Sequence, residues 1–139
     1  MSDYRYGIAW SDDYSLGYER VDAQHRRLFE LLSELVSSCM EGTDVDKLHK
    51  TIDFLVNYTI QHFSDEEALQ IEYGYPGYVR HKQLHENFKA TVGDLVQRFT
   101  QSGSLSELSA DVNKVIVKWL ITHIQREDKK IGAHIKAQI

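Results

Sequence analysis

The chain has 139 residues, 42% hydrophobic and 27% charged, which suits a globular fold with a real core. A formal net charge of −5 argues against nucleic acid as the main partner. Nor does any apolar run approach the roughly 20 residues that span a bilayer. A lone cysteine, Cys39, excludes an internal disulfide, and the start at Met1 lacks the apolar stretch of a signal peptide, so a cytoplasmic location is expected.

Residues 1–17 hold no sustained period and include Gly7 and Gly17, so an irregular arm is expected, packed on the rest through Trp10. Four segments of helical periodicity follow. The first spans about 19–40, with Val21, Leu28, Phe29, Leu32, Leu35, Val36 and Cys39 inward, and breaks at Glu41-Gly42-Thr43. The second spans about 44–73, with Leu48, Ile52, Leu55, Val56, Phe63 and Leu69 inward, and ends at Gly74-Tyr75-Pro76-Gly77. The third spans about 78–101, with Phe88, Val92, Leu95, Val96 and Phe99, and stops at Gly103. Ser104 and Glu107 match a capping box for the fourth, about 105–127, which carries Leu105, Leu108, Val112, Val115, Ile116, Trp119 and Leu120. A short tail with another turn or two follows from about Lys129. Short connections make neighbours antiparallel. The expected fold is all-α: one domain over 1–139, an up-down-up-down four-helix bundle with an irregular N-terminal arm and a short C-terminal tail.

The histidines fall on the apolar stripes. His25 is four after Val21 and three before Leu28, and His62 is seven after Leu55. Glu66 is one turn beyond His62 on the same face, His81 and His85 lie four apart and lead into Phe88, and His123 is four after Trp119. A lone histidine on such a stripe is more often a satisfied core residue. Here that reading must hold on four helices at once, with Glu66 in the same core, and a buried carboxylate is costly unless paired or metal-bound. The positions also alternate early, late, early, late along successive helices, which places them at one end of an up-down-up-down bundle.

Nitrogen and oxygen donors without thiolate suit iron or manganese, and five histidines with a glutamate exceed one tetrahedral zinc site. Asp128 lies five residues after His123, well off that face, and joins the set only if the helix ends, bends or tightens there; spacing leaves it open. His49 is expected to face solvent, and His134 lies in the tail. Arg126, three after His123, has an open orientation.

Val21-Asp22-Ala23-Gln24-His25, His62-x-x-x-Glu66, His81-x-x-x-His85 and Trp119-x-x-x-His123-x-x-x-x-Asp128, with Trp10 near the start, resemble the hemerythrin family, in particular its single-domain bacterial members. The resemblance covers Trp10 to Asp128. It implies two iron ions, cycling between Fe2+ and Fe3+, with a bridging oxo or hydroxo group. By resemblance His81, His85 and His123 bind one ion, His25 and His62 the other, and Glu66 and Asp128 bridge them. The second ion is then one ligand short, and dioxygen binds there. Trp119 and Leu120 are candidate walls of the oxygen pocket, though both also read as plain core. The implied function is reversible dioxygen binding for storage, transport or delivery to an oxygen-consuming enzyme partner, without catalysis. The alternatives are a di-iron redox enzyme (peroxidase, ferroxidase or nitric-oxide handling) and an oxygen or redox sensing module.

Overall fold

The computed structural model describes residues 9–42 and 44–138. The first eight residues of the expected arm, Gly7 among them, and Thr43 of the first break lie outside the described residues. The described residues are mostly helical, with no strand among them. A 3-10 turn, Asp12–Tyr14, precedes α1 (Glu19–Glu41), α2 (Val45–Glu72) and α3 (Tyr78–Ser102). The fourth rod is a relay of α4 (Leu105–Asp111), a π-helical stretch Val112–Val117, α5 (Lys118–His123), a second π-helical stretch Ile124–Asp128 and α6 (Lys129–Ala137). α1 packs against α2 and the fourth rod, and α3 closes the square by packing on both of these, so the architecture is an all-α four-helix bundle.

Local chemistry sets the boundaries. Gly42 takes a left-handed conformation (φ 71°) and returns its N–H to Ser38 O, the usual way to close a helix at low steric cost. Asp44 caps α2 by accepting from Asp46 N–H. Ser104 Oγ accepts from Glu107 N–H at 3.2 Å, as the capping box requires, but the Ser104 N–H goes to Ser102 Oγ, so only half of the box forms.

The arm is pinned rather than loose. Asp22, buried in the first turn of α1, accepts from Leu16 N–H at 2.9 Å and Ser15 Oγ–H at 2.5 Å. Trp10 packs edge-on to Tyr14 and Phe29, which stack on each other at 5.4 Å. Farther along, Gly132 meets the arm so closely that a Cβ there would lie 2.5 Å from Leu16 O. Only glycine allows that approach.

The expected stripes are the core: every inward residue named for α1 is buried, as are Leu48, Ile52, Leu55, Phe63, Phe88, Leu95 and Phe99. Val56, Leu69, Val92, Val96 and Trp119 are half-buried. The extra turns expected from about Lys129 are α6, which prolongs the fourth rod and buries Ile131, Gly132 and Ile135. One expectation changes. His49 is half-buried, because its ring leans on Phe99 of α3 at 5.3 Å instead of turning to water.

Candidate metal centre

Seven side chains from all four rods meet at one end of the bundle. α1 brings His25, α2 His62 and Glu66, α3 His81 and His85, and the fourth rod His123 and Asp128; all seven are buried. They fall into two sets of donor atoms, each with its members within 4.8 Å of one another. One set is Glu66, His81, His85, His123 and Asp128; the other is His25, His62 and Glu66.

Asp128 reaches the cluster by a device not foreseen from spacing. Five α-helical residues at about 100° each end about 140° past a full turn, away from His123. The helix does not end or tighten. It widens into the π-helical stretch Ile124–Asp128, whose i→i+5 bonding brings the fifth residue back onto the same face. Asp128 Oδ1 then lies 3.1 Å from His123 Nε2. Arg126 is exposed within this turn, away from the site.

Each carboxylate spans the two sets. Glu66 Oε1 lies 2.8 Å from His81 Nε2 and 3.1 Å from His85 Nε2, while its Oε2 lies 3.5 Å from His25 and 3.4 Å from His62. Asp128 Oδ1 is 3.0 Å from His81, and its Oδ2 is 3.2 Å from His25. Two acids thus turn one oxygen to each imidazole group.

The surrounding hydrogen bonds assign the proton on two rings. Gln24 Nε2 donates to Asp65 Oδ2 at 2.9 Å, which leaves Gln24 Oε1 as an acceptor, 2.7 Å from His62 Nδ1. His62 therefore carries its proton on Nδ1 and aims a bare lone pair from Nε2 at Glu66, itself an acceptor. Likewise His85 Nδ1–H donates to Glu67 Oε2 at 2.8 Å. Outer partners of this kind orient metal-ligating imidazoles. Aromatic planes hold the same rings: Phe63 stacks on His85 at 3.8 Å and Trp119 on His123 at 4.3 Å. Gln24, Asp65 and Glu67 flank the ligand positions in sequence but do not share their face, so periodicity alone passed over them.

Lone pairs facing lone pairs are unfavourable without a cation between them. His25 Nε2, His62 Nε2, Glu66 Oε2 and Asp128 Oδ1 are all buried without a hydrogen-bond partner, and the Nε2 atoms of His81 and His123 approach to 3.1 Å. Cations resolve this set. The donors fit iron: five imidazoles, two carboxylates and no thiolate.

Protons occupy the cluster when metal does not. Burial opposes charge on His25 and His81, but the Asp128 and Glu66 carboxylates outweigh it and raise both to about 9. His62 moves the other way, lowered by burial. Burial also opposes ionisation of Glu66, but the surrounding imidazoles hold it well below the usual carboxylate range; burial and Glu66 oppose that of Asp128, where His123 and His25 prevail. A raised imidazole contributes stability that is complete below about pH 6.5 and is lost as pH rises through 9; a depressed carboxylate contributes above about pH 4 and is lost on acidification. A tenfold change in proton affinity is worth about 1.4 kcal/mol, and the two imidazoles share two acids, so the effects do not add. The metal-free protein is therefore expected to lose about 2–3 kcal/mol between pH 6 and pH 9.5, measured by thermal melts at both values.

Gln70, one turn beyond Glu66, is fully buried with both amide atoms unpartnered. Unpaired polar atoms in a core are destabilising. Gln70→Met should stabilise the metal-free protein by about 1–2 kcal/mol, read as a higher melting temperature.

Fold and cluster together define a metal-binding antiparallel four-helix bundle. Residues 16–135 match the hemerythrin HHE cation binding domain. The chain belongs to the hemerythrin family. It is 34% identical over 134 residues to a bacteriohemerythrin of Stenotrophomonas maltophilia (strain R551-3), covering 95% of this chain and 84% of the relative. A bacteriohemerythrin of Methylococcus capsulatus is 28% identical over 116 residues, 84% of this chain and 86% of its own. A myohemerythrin of Theromyzon tessulatum is 27% identical over 121 residues, 87% of this chain and 88% of its own. Family and cluster together support a di-iron, oxygen-binding domain. No described helix is long and apolar enough to cross a membrane.

Proposed function

We propose that this chain is one hemerythrin-like domain over 1–139 that binds dioxygen reversibly for storage, transport or delivery to an oxygen-consuming enzyme, and is not itself an enzyme. The observation that carries this reading is the unequal division of donors around two shared carboxylates. His81, His85 and His123 with one oxygen each from Glu66 and Asp128 give five donors. His25 and His62 with the other two oxygens give four. His81, His85 and His123 would hold one iron ion and His25 and His62 the other, with fewer protein donors on the second side. Iron so held would supply the redox chemistry of reversible dioxygen binding.

The chain's own residues do the rest. Gln24 and Glu67 hold the protons of His62 and His85 on Nδ1, so that Nε2 stays a donor. Leu28, Phe63 and Leu120, each within one turn of a cluster histidine, wall an apolar cavity of about 40 Å³ and exclude water and protons from it. Trp119 is not in that wall; it fills the space between Phe88 and His123 as an orienting plate. No side chain in the pocket is placed to act as an acid or base toward a bound gas, which favours binding over turnover. Compartment follows the same reading: a cytoplasmic oxygen binder with one buried free thiol, Cys39.

The test is a cycle. Iron-loaded protein is reduced, exposed to oxygen and purged, with the visible spectrum recorded throughout. A coloured adduct that forms and vanishes over many cycles is expected. It should be lost in His62→Ala and retained in His49→Ala. One-way bleaching with peroxide turnover would establish a redox enzyme instead.

A further inference from the structure

The apolar cavity lies against all four ligand-bearing rods, with Leu28, Phe63, Phe88 and Leu120 each within one turn of a histidine of the cluster. Thr59 is its one polar wall residue, and the hydroxyl is spent, donating to Leu55 O at 2.8 Å. A space with no free polar partner stays dry and accepts apolar guests.

On the outside, α2 and α3 leave a groove of about 230 Å³ with Asp53, Asn57 and Lys89 at its rim. Val56, Thr59, Phe88, Val92 and Val96 line both this groove and the inner cavity. Only these side chains separate solvent from the cavity there, and side-chain rotations are fast. Two other surface grooves, around Glu34, Lys47 and Thr51 on the α1–α2 face, share no wall residue with the cavity. Gly93 sharpens the contrast. A glycine inside a helix is worth about 1 kcal/mol less than alanine, yet a Cβ at Gly93 would meet nothing within 4 Å. No packing demands the glycine; its effect is to leave the groove uncovered.

We infer that the cavity is a docking site for small apolar gas molecules and that the α2–α3 seam beneath Gly93 is its portal. Naming dioxygen as the physiological guest rests on the function proposed above; gas docking itself needs no iron.

Xenon tests it on metal-free protein. Xenon-pressurised crystals should show one atom against Phe63, Phe88 and Leu120. Xenon NMR should show exchange slowed about tenfold or more in Gly93→Phe, and unchanged in Glu34→Leu on the α1–α2 face. Because Gly93 faces open space, the phenylalanine variant should fold normally, checked by its melt. An empty cavity under xenon, or equal exchange in both variants, overturns the inference. Either result leaves the spectroscopic oxygen cycle to stand or fall by itself, so the two failures are distinguishable.

Discussion

Glu66→Ala is expected to be isolated with less than about a tenth of the wild-type iron and no oxygen-dependent colour. Removing an outer partner of a metal ligand already costs about 10–100-fold in affinity. Glu66 stands closer, with one oxygen turned to His81 and His85 and the other to His25 and His62, so its loss removes a donor from both imidazole groups. Alanine also opens a cavity in the core, which confuses the cause. Glu66→Gln separates the two effects: it keeps the volume and removes the charge. Equal iron loss in both variants, by metal analysis of folded protein, assigns the defect to the carboxylate. Iron retained in Glu66→Gln would show that the charge is not needed.

Inserting one alanine after Arg126 should be as damaging, although the Arg126 side chain is exposed and touches nothing in the site. One residue more than the π-helical turn accommodates swings Asp128 about 100° off the His123 face. The same rotation carries Ile131 and Ile135 out of the core and parts Gly132 from Leu16. Moving a buried isoleucine into water costs about 1.5–3 kcal/mol, so the insertion should destabilise by about 3 kcal/mol or more. Arg126→Ala is expected to keep both iron and stability. Asp128→Asn should lose iron while keeping the docked helix. Metal content and melting temperature across the three variants separate chain length from side-chain chemistry, and an insertion that keeps its iron would refute the π-turn's role in setting the register.

Fold and site were legible to different depths. The apolar stripes of α1 to α3 follow the helical period closely, so the core and the convergence of His25, His62, Glu66, His81, His85 and His123 could be read from spacing. Asp128 could not, because a period of 3.6 residues assumes a regular helix and the rod departs from it at that turn. Resemblance to a family carried that residue where spacing did not. Gln24, Asp65 and Glu67 escaped for a different reason: they act across the gaps between helices, and a stripe pattern records only which face a residue takes. The same limit misplaced His49, whose ring finds Phe99 on a neighbouring helix. The apolar cavity and its thin wall at Val92 and Val96 arise from how four rods leave space between them, which no single segment encodes.

Anomalous diffraction at the iron edge from iron-loaded crystals tests the central arrangement most directly. Two peaks are predicted, one among His81, His85 and His123 and one between His25 and His62, with Glu66 and Asp128 touching both. A single peak, or two peaks that do not share the carboxylates, would contradict it.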